Sequence, residues 1–94
     1  MTTDDLKKRW ARITAHLEAA SSLLPASPSE SPDRGRVARF KEFLLHNELE
    51  LALDELEGLG QSNSVQAEFW TRLLGAAEEM GLQAHAMRYR QRGA

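Results

Sequence analysis

Apolar residues recur along this chain at steps of three and four. Sustained alternation of the strand kind is absent, so every periodic stretch reads as helix. Leu6, Trp10, Ile13, Leu17, Ala20 and Leu24 form a heptad-like seam. It predicts a first helix over 4–24, with Thr3 as N-cap, Asp4 and Asp5 against the helix dipole, and Pro25 as its stop. Residues 25–34 (PASPSESPDR) hold three prolines, three serines and no large apolar side chain. They predict a mobile linker.

A second helix is predicted over 35–46, with Val37, Phe40 and Leu44 on one face and Phe43 beside them. A third follows over 48–58, with Leu49, Ala52, Leu53 and Leu56 inward. In one continuous helix, at roughly 100° per residue, the stripes centred on Phe40 and Leu49 would point in nearly opposite directions. A sharp break is therefore expected at His46–Asn47, with Asn47 and Glu50 at capping-box spacing. Gly58 and Gly60 read as the stop of the third helix. Asn63 or Ser64 reads as the cap of a fourth over 64–80, with Asn63 and Gln66 again at capping-box spacing. Its stripe of Val65, Phe69, Leu73, Ala76, Ala77 and Met80, widened by Trp70 and Leu74, predicts the most enclosed helix of the domain. Gly81 fits a left-handed stop, with Leu82 packing back on Ala77. Residues 83–92 predict a short fifth helix with Ala86, Met87 and Tyr89 partly buried.

The result is an all-α fold, a single small bundle of four to five helices across residues 1–94. It comprises the N-terminal helix (1–24), the linker (25–34), a helical core (35–82) and a short basic C-terminal segment (83–94). At 94 residues it lies near the lower end for a self-sufficient core. The chain has no cysteine, which removes disulfides and thiolate chemistry and fits a reducing compartment. Lys7, Lys8 and Arg9 precede no apolar run of signal-peptide length, and no stretch approaches a membrane span. A cytoplasmic, soluble protein is expected.

Net charge is only −2, but its distribution is uneven. Seven acidic residues and no Lys or Arg lie from Glu42 to Thr71, and five of them fall within 48–57. Glu50 and Asp54 are four apart, Asp54 and Glu57 three apart. Each such like-charge pair costs a helix about 0.2–0.5 kcal/mol. A partner with a basic surface would turn that cost into attraction. In helical projection Leu51 points away from the core stripe, with Glu48 and Glu55 on one side and Glu50, Asp54 and Glu57 on the other. An apolar anchor with a charged rim has the anatomy of a recognition patch. The competing reading leaves Leu51 packed under the first helix or linker and the carboxylates as a solvated face. Trp70, at the edge of the fourth helix's apolar face, reads as core or as a further contact. The heptad seam supplies an alternative function: self-association of an adaptor module into a homodimer through Leu6, Trp10, Ile13, Leu17 and Leu24.

Other chemistry finds less support. Glu50 and Asp54 could share a divalent cation, but such sites recruit His or further oxygen ligands from a second element. No Glu-x-x-His motif occurs, and His16 and His85 have no ligand neighbour at helical spacing. Catalysis, metal binding and cofactors are therefore not expected. Arg88, Arg90 and Arg92 around Tyr89 suit nucleic-acid contact, yet three arginines beside an acidic middle argue against it.

The run FKEFLLHNELELALDEL from Phe40 to Leu56, followed by Phe69, Trp70, Leu73, Ala76, Ala77 and Met80, resembles small all-helical bacterial immunity proteins of the Maf-type and contact-dependent growth inhibition kind. The resembling features are a break at His46-Asn47, an acidic helix from Glu48-Leu49 through Leu56, and a helix ending at Met80-Gly81-Leu82. They lie within residues 37–82. The resemblance implies a cytoplasmic protein without activity of its own. Such a protein would bind and block a cognate toxin, with the acidic helix 48–57 against a basic surface such as a nuclease active site.

Overall fold

A computed structural model of the chain describes residues 2–93. Among the described residues five helices follow one another: α1 (Thr3–Ser22), α2 (Val37–Leu45), α3 (Leu49–Ser62), α4 (Ala67–Met80) and α5 (Gln83–Gly93). The expected all-α bundle is what forms. No helix among the described residues is long and apolar enough to cross a membrane.

α1 starts one residue earlier than its sequence suggests. Thr2, not Thr3, is the N-cap: its hydroxyl accepts the Asp5 amide at 3.2 Å, and the Asp5 carboxylate accepts the Thr2 amide at 3.4 Å. The helix lies chiefly along α4 and also touches α3. Ile13, Leu17 and Ala20 are buried there, Leu6 and Leu24 are partly covered, and Trp10 is 40% exposed. The middle of the heptad seam is thus consumed by the chain's own core. Ile13 and Leu17, at 2% and 0% exposure, cannot face a second copy unless that core opens.

Residues 25–34 are non-helical, as expected, but they are pinned rather than loose. The Ser29 amide donates to Asn63 Oδ1 at 2.9 Å, and Asn63 Nδ2 donates to the carbonyls of Ser29 and Leu59. The Val37 amide donates to Glu30 Oε2 at 2.9 Å. Asn63 therefore secures the linker to the end of α3 and does not cap α4, whose N-cap is Gln66 without a side-chain bond.

The break at His46–Asn47 is present, with a different cause. Asn47 takes the left-handed conformation, φ 58°. Its amide donates to the Leu44 carbonyl and the Glu48 amide to that of Phe43, the double closure of a Schellman ending. Asn47 thus terminates α2, and the expected capping box with Glu50 does not form; Glu48 precedes α3 without a side-chain cap. Gly81, φ 71°, closes α4 the same way, with Leu82 N–H on Ala77 O at 2.9 Å.

α3, not α4, is the most enclosed helix, and it runs through the two glycines expected to stop it. Both glycines are sites of close approach. A Cβ on Gly58 would lie 2.7 Å from the Arg34 carbonyl carbon, and one on Gly60 would lie 2.5 Å from the Phe69 ring. α2 packs on α3, α5 on α4, and α3 contacts α1 and α4 as well. Leu53, Leu56, Leu59, Phe69 and Leu73 are fully buried at the centre.

Candidate functional site

The enclosure of α3 decides the fate of its carboxylates. Glu55, expected at the surface, is buried. Its Oε1 accepts the amides of Gly35 at 3.2 Å and Arg36 at 3.0 Å, so it anchors the start of α2. Two amide donors at a helix start satisfy a buried carboxylate without a cation.

Glu57, also expected at the surface, is 2% exposed. Arg88 grips it in a bidentate pair at 2.9 and 3.0 Å, and the Tyr89 hydroxyl donates to it at 2.8 Å. Burial, the largest single influence, pushes this carboxyl up. The bonds from Arg88 and Tyr89, with the charges of Arg88 and His85, outweigh it and hold the group below its ordinary value. Tyr89 is pushed far above the ordinary phenol value by burial and by the same bond to Glu57.

Asp54 is partly buried, and its Oδ1 lies 3.0 Å from His85 Nε2. Asp54, Glu55 and Glu57 are therefore occupied inside the molecule and are not a rim. Trp70 is core as well, 5% exposed, stacked edge-on to Phe69 with ring centroids 5.1 Å apart. The Arg92 guanidinium covers its ring at 4.7 Å. Arg90 pairs with Glu78 at 3.0 Å, so all three arginines of the C-terminal segment are engaged with α3 or α4.

No protein-family model, curated protein or solved structure matches the chain. Of the residues expected to contact a partner, Glu48, Glu50 and Leu51 remain outside, Leu51 at 46% exposure. Leu45, at 81%, joins them from the last position of α2, with Glu42 exposed one turn earlier. Among the described residues no ion pair engages Glu42, Glu48 or Glu50. The periodicity of α2 did not single out Leu45. The signal was available, however: a leucine one residue after the apolar stripe and next to the predicted break has no neighbouring helix to cover it.

The fold also brings together what sequence spacing kept apart. His85, without a ligand neighbour on its own helix, meets Asp54 from α5, and Glu50 stands one turn before Asp54. An open cleft of about 560 Å³ lies elsewhere, between α1 and α4. It is lined by Arg9, His16, Thr71, Leu74, Gly75, Glu78 and Glu79. Its two carboxylates are already paired, Glu78 with Arg90 and Glu79 with Arg12.

Proposed function

We propose that this chain is a protein-binding module that docks on a basic protein surface through the corner between α2 and α3. Leu45 and Leu51 are its apolar anchors, and Glu42, Glu48 and Glu50 are its charged rim. The observation that carries this reading is the coincidence of two exposed leucines with three uncompensated carboxylates at one chain reversal. The other carboxylates of α3 have partners inside the molecule: Glu55 two backbone amides, Asp54 the His85 ring, and Glu57 Arg88 and Tyr89. Apolar anchors ringed by charge combine slow dissociation with steered association. The biological role we assign is cytoplasmic immunity, in which the corner covers a basic site on a bacterial toxin, such as the catalytic cleft of a nuclease. This role follows from the resemblance of residues 37–82.

The test uses the whole chain as bait in extract of its native host. The expected prey is a basic protein that arrests growth when expressed alone and not when co-expressed with this chain. A variant carrying Glu48→Gln, Glu50→Gln and Leu51→Ser keeps its helical circular dichroism and loses both capture and rescue. Rescue undiminished in that variant would refute the corner as the contact surface. A prey that does not arrest growth would refute the immunity role.

A further inference from the structure

We propose that Glu50, Asp54 and His85 form a binding site for a transition-metal dication of the zinc class. One ligand atom from each of the three residues can be chosen so that all lie within 4.8 Å of one another. The set is mixed, two carboxylates and an imidazole, and it spans two helices, with Asp54 and His85 thirty-one residues apart. Carboxylates alone suit magnesium and calcium, which need six or more oxygen ligands. An imidazole in a set of three favours zinc, cobalt or copper.

The spacing fits such an ion. Zinc holds nitrogen and carboxylate oxygen at about 2.0–2.2 Å, so neighbouring ligands in a tetrahedron lie about 3.3 Å apart. Asp54 Oδ1 and His85 Nε2 are 3.0 Å apart, and both side chains are largely shielded, at 22% and 17% exposure. The ion takes the place of the hydrogen bond between them: Nε2 becomes a ligand atom, and the neutral imidazole carries its single proton on Nδ1. Glu50 is exposed and four residues from Asp54, so rotation of its own side chain brings it in without backbone movement. The fourth position opens to water on the Glu50 side, which is also the path by which an ion enters. Bound there, the ion ties α3 to α5 and cancels the repulsion between Glu50 and Asp54.

The experiment uses the isolated, untagged full chain after chelator treatment, with no partner. Its failure therefore leaves the docking reading standing, although Glu50 belongs to both. Zinc chloride is titrated calorimetrically, and cobalt chloride is followed by its visible absorption, which reports low-symmetry coordination. The expected result is one equivalent of either ion on the wild type, with no comparable binding of magnesium or calcium. Glu50→Gln, Asp54→Asn and His85→Gln should each weaken binding by at least about tenfold, the loss that follows even from removing an outer-shell partner. His16→Gln and His46→Gln should leave it unchanged. Absence of one-equivalent binding overturns the site, as does binding that survives both Glu50→Gln and His85→Gln. Glu50→Gln alters an exposed side chain and keeps the test decisive if substitution of His85 unfolds the chain.

Discussion

Replacing Arg88 with Ala leaves the Glu57 carboxylate enclosed, with the Tyr89 hydroxyl as its remaining donor. Removing one member of a buried ion pair costs about 3–5 kcal/mol, because the other charge is stranded. Here the Tyr89 bond survives, and the Arg88 side chain is 45% exposed, so the pair is only half shielded. The expected loss is therefore at the lower end, about 3 kcal/mol. A domain of this length has about 5–14 kcal/mol in total, so the variant stays folded but weakened. Its urea midpoint should fall by about 1–3 M, read from the fluorescence of buried Trp70. Glu57→Gln removes the charge, keeps an acceptor for Tyr89 and leaves the Arg88 head in water, at a cost of about 1–2 kcal/mol. The double variant should then be more stable than Arg88→Ala alone. Acidity adds an independent check. In the wild type the folded carboxyl lies below its ordinary value of 4.5. Its contribution is present above that pH and lost as pH falls through the folded value. Without Arg88, burial dominates and the folded carboxyl rises above its unfolded value. The deficit is then full at neutral pH and shrinks on acidification. Additive single effects, or a deficit that widens between about pH 7 and pH 5, would refute the stranded-charge argument.

Two further outcomes follow from the same core. Tyr89 is the single tyrosine, and its folded value is raised. Its contribution to stability therefore holds below the unfolded value of about 10 and is lost as pH rises beyond it. Tyrosinate absorbance should grow only in step with loss of helical circular dichroism; ionisation in a chain still fully helical contradicts this. Gly58→Ala should lower the melting temperature, although alanine favours helix by about 1 kcal/mol. The new methyl carbon meets the backbone of Arg34 and Gly35 at 2.7 and 2.8 Å, where no side chain can swing away. Overpacking of this kind costs about 1–3 kcal/mol, and each net kcal/mol shifts the melting point by about 4–8 °C. An unchanged or higher melting temperature would show that the linker yields freely.

Helix positions and most of the core were legible because each depends on local spacing. The Ile13–Leu17 stripe, the reversal after His46 and the Gly81 stop all follow from residues within a turn or two of each other. The roles of the acidic residues were not, because they depend on what surrounds α3. A projection with one buried face places Glu55 and Glu57 outside, whereas α3 is covered on nearly every side beyond its first turns. A matching signal did exist. Asp54 and Glu57 are three apart, and His85, Arg88 and Tyr89 repeat at three and four on one face of α5. Two complementary ladders of that pitch can pair across space. Reading the arginine-rich segment as a possible surface for outside partners concealed its use as the internal counterpart of α3. The two glycines misled for a related reason: a missing side chain marks a backbone contact as readily as a helix end.

The donors for Asp54 and Glu57 follow them by thirty-one residues in the chain. On the ribosome, α1 to α4 therefore emerge while these acids still lack their partners. A nascent chain can assemble its leucines early, but the last part of α3 cannot shed water until α5 arrives. The late helix thus acts as a latch, and final closure of the domain waits for it.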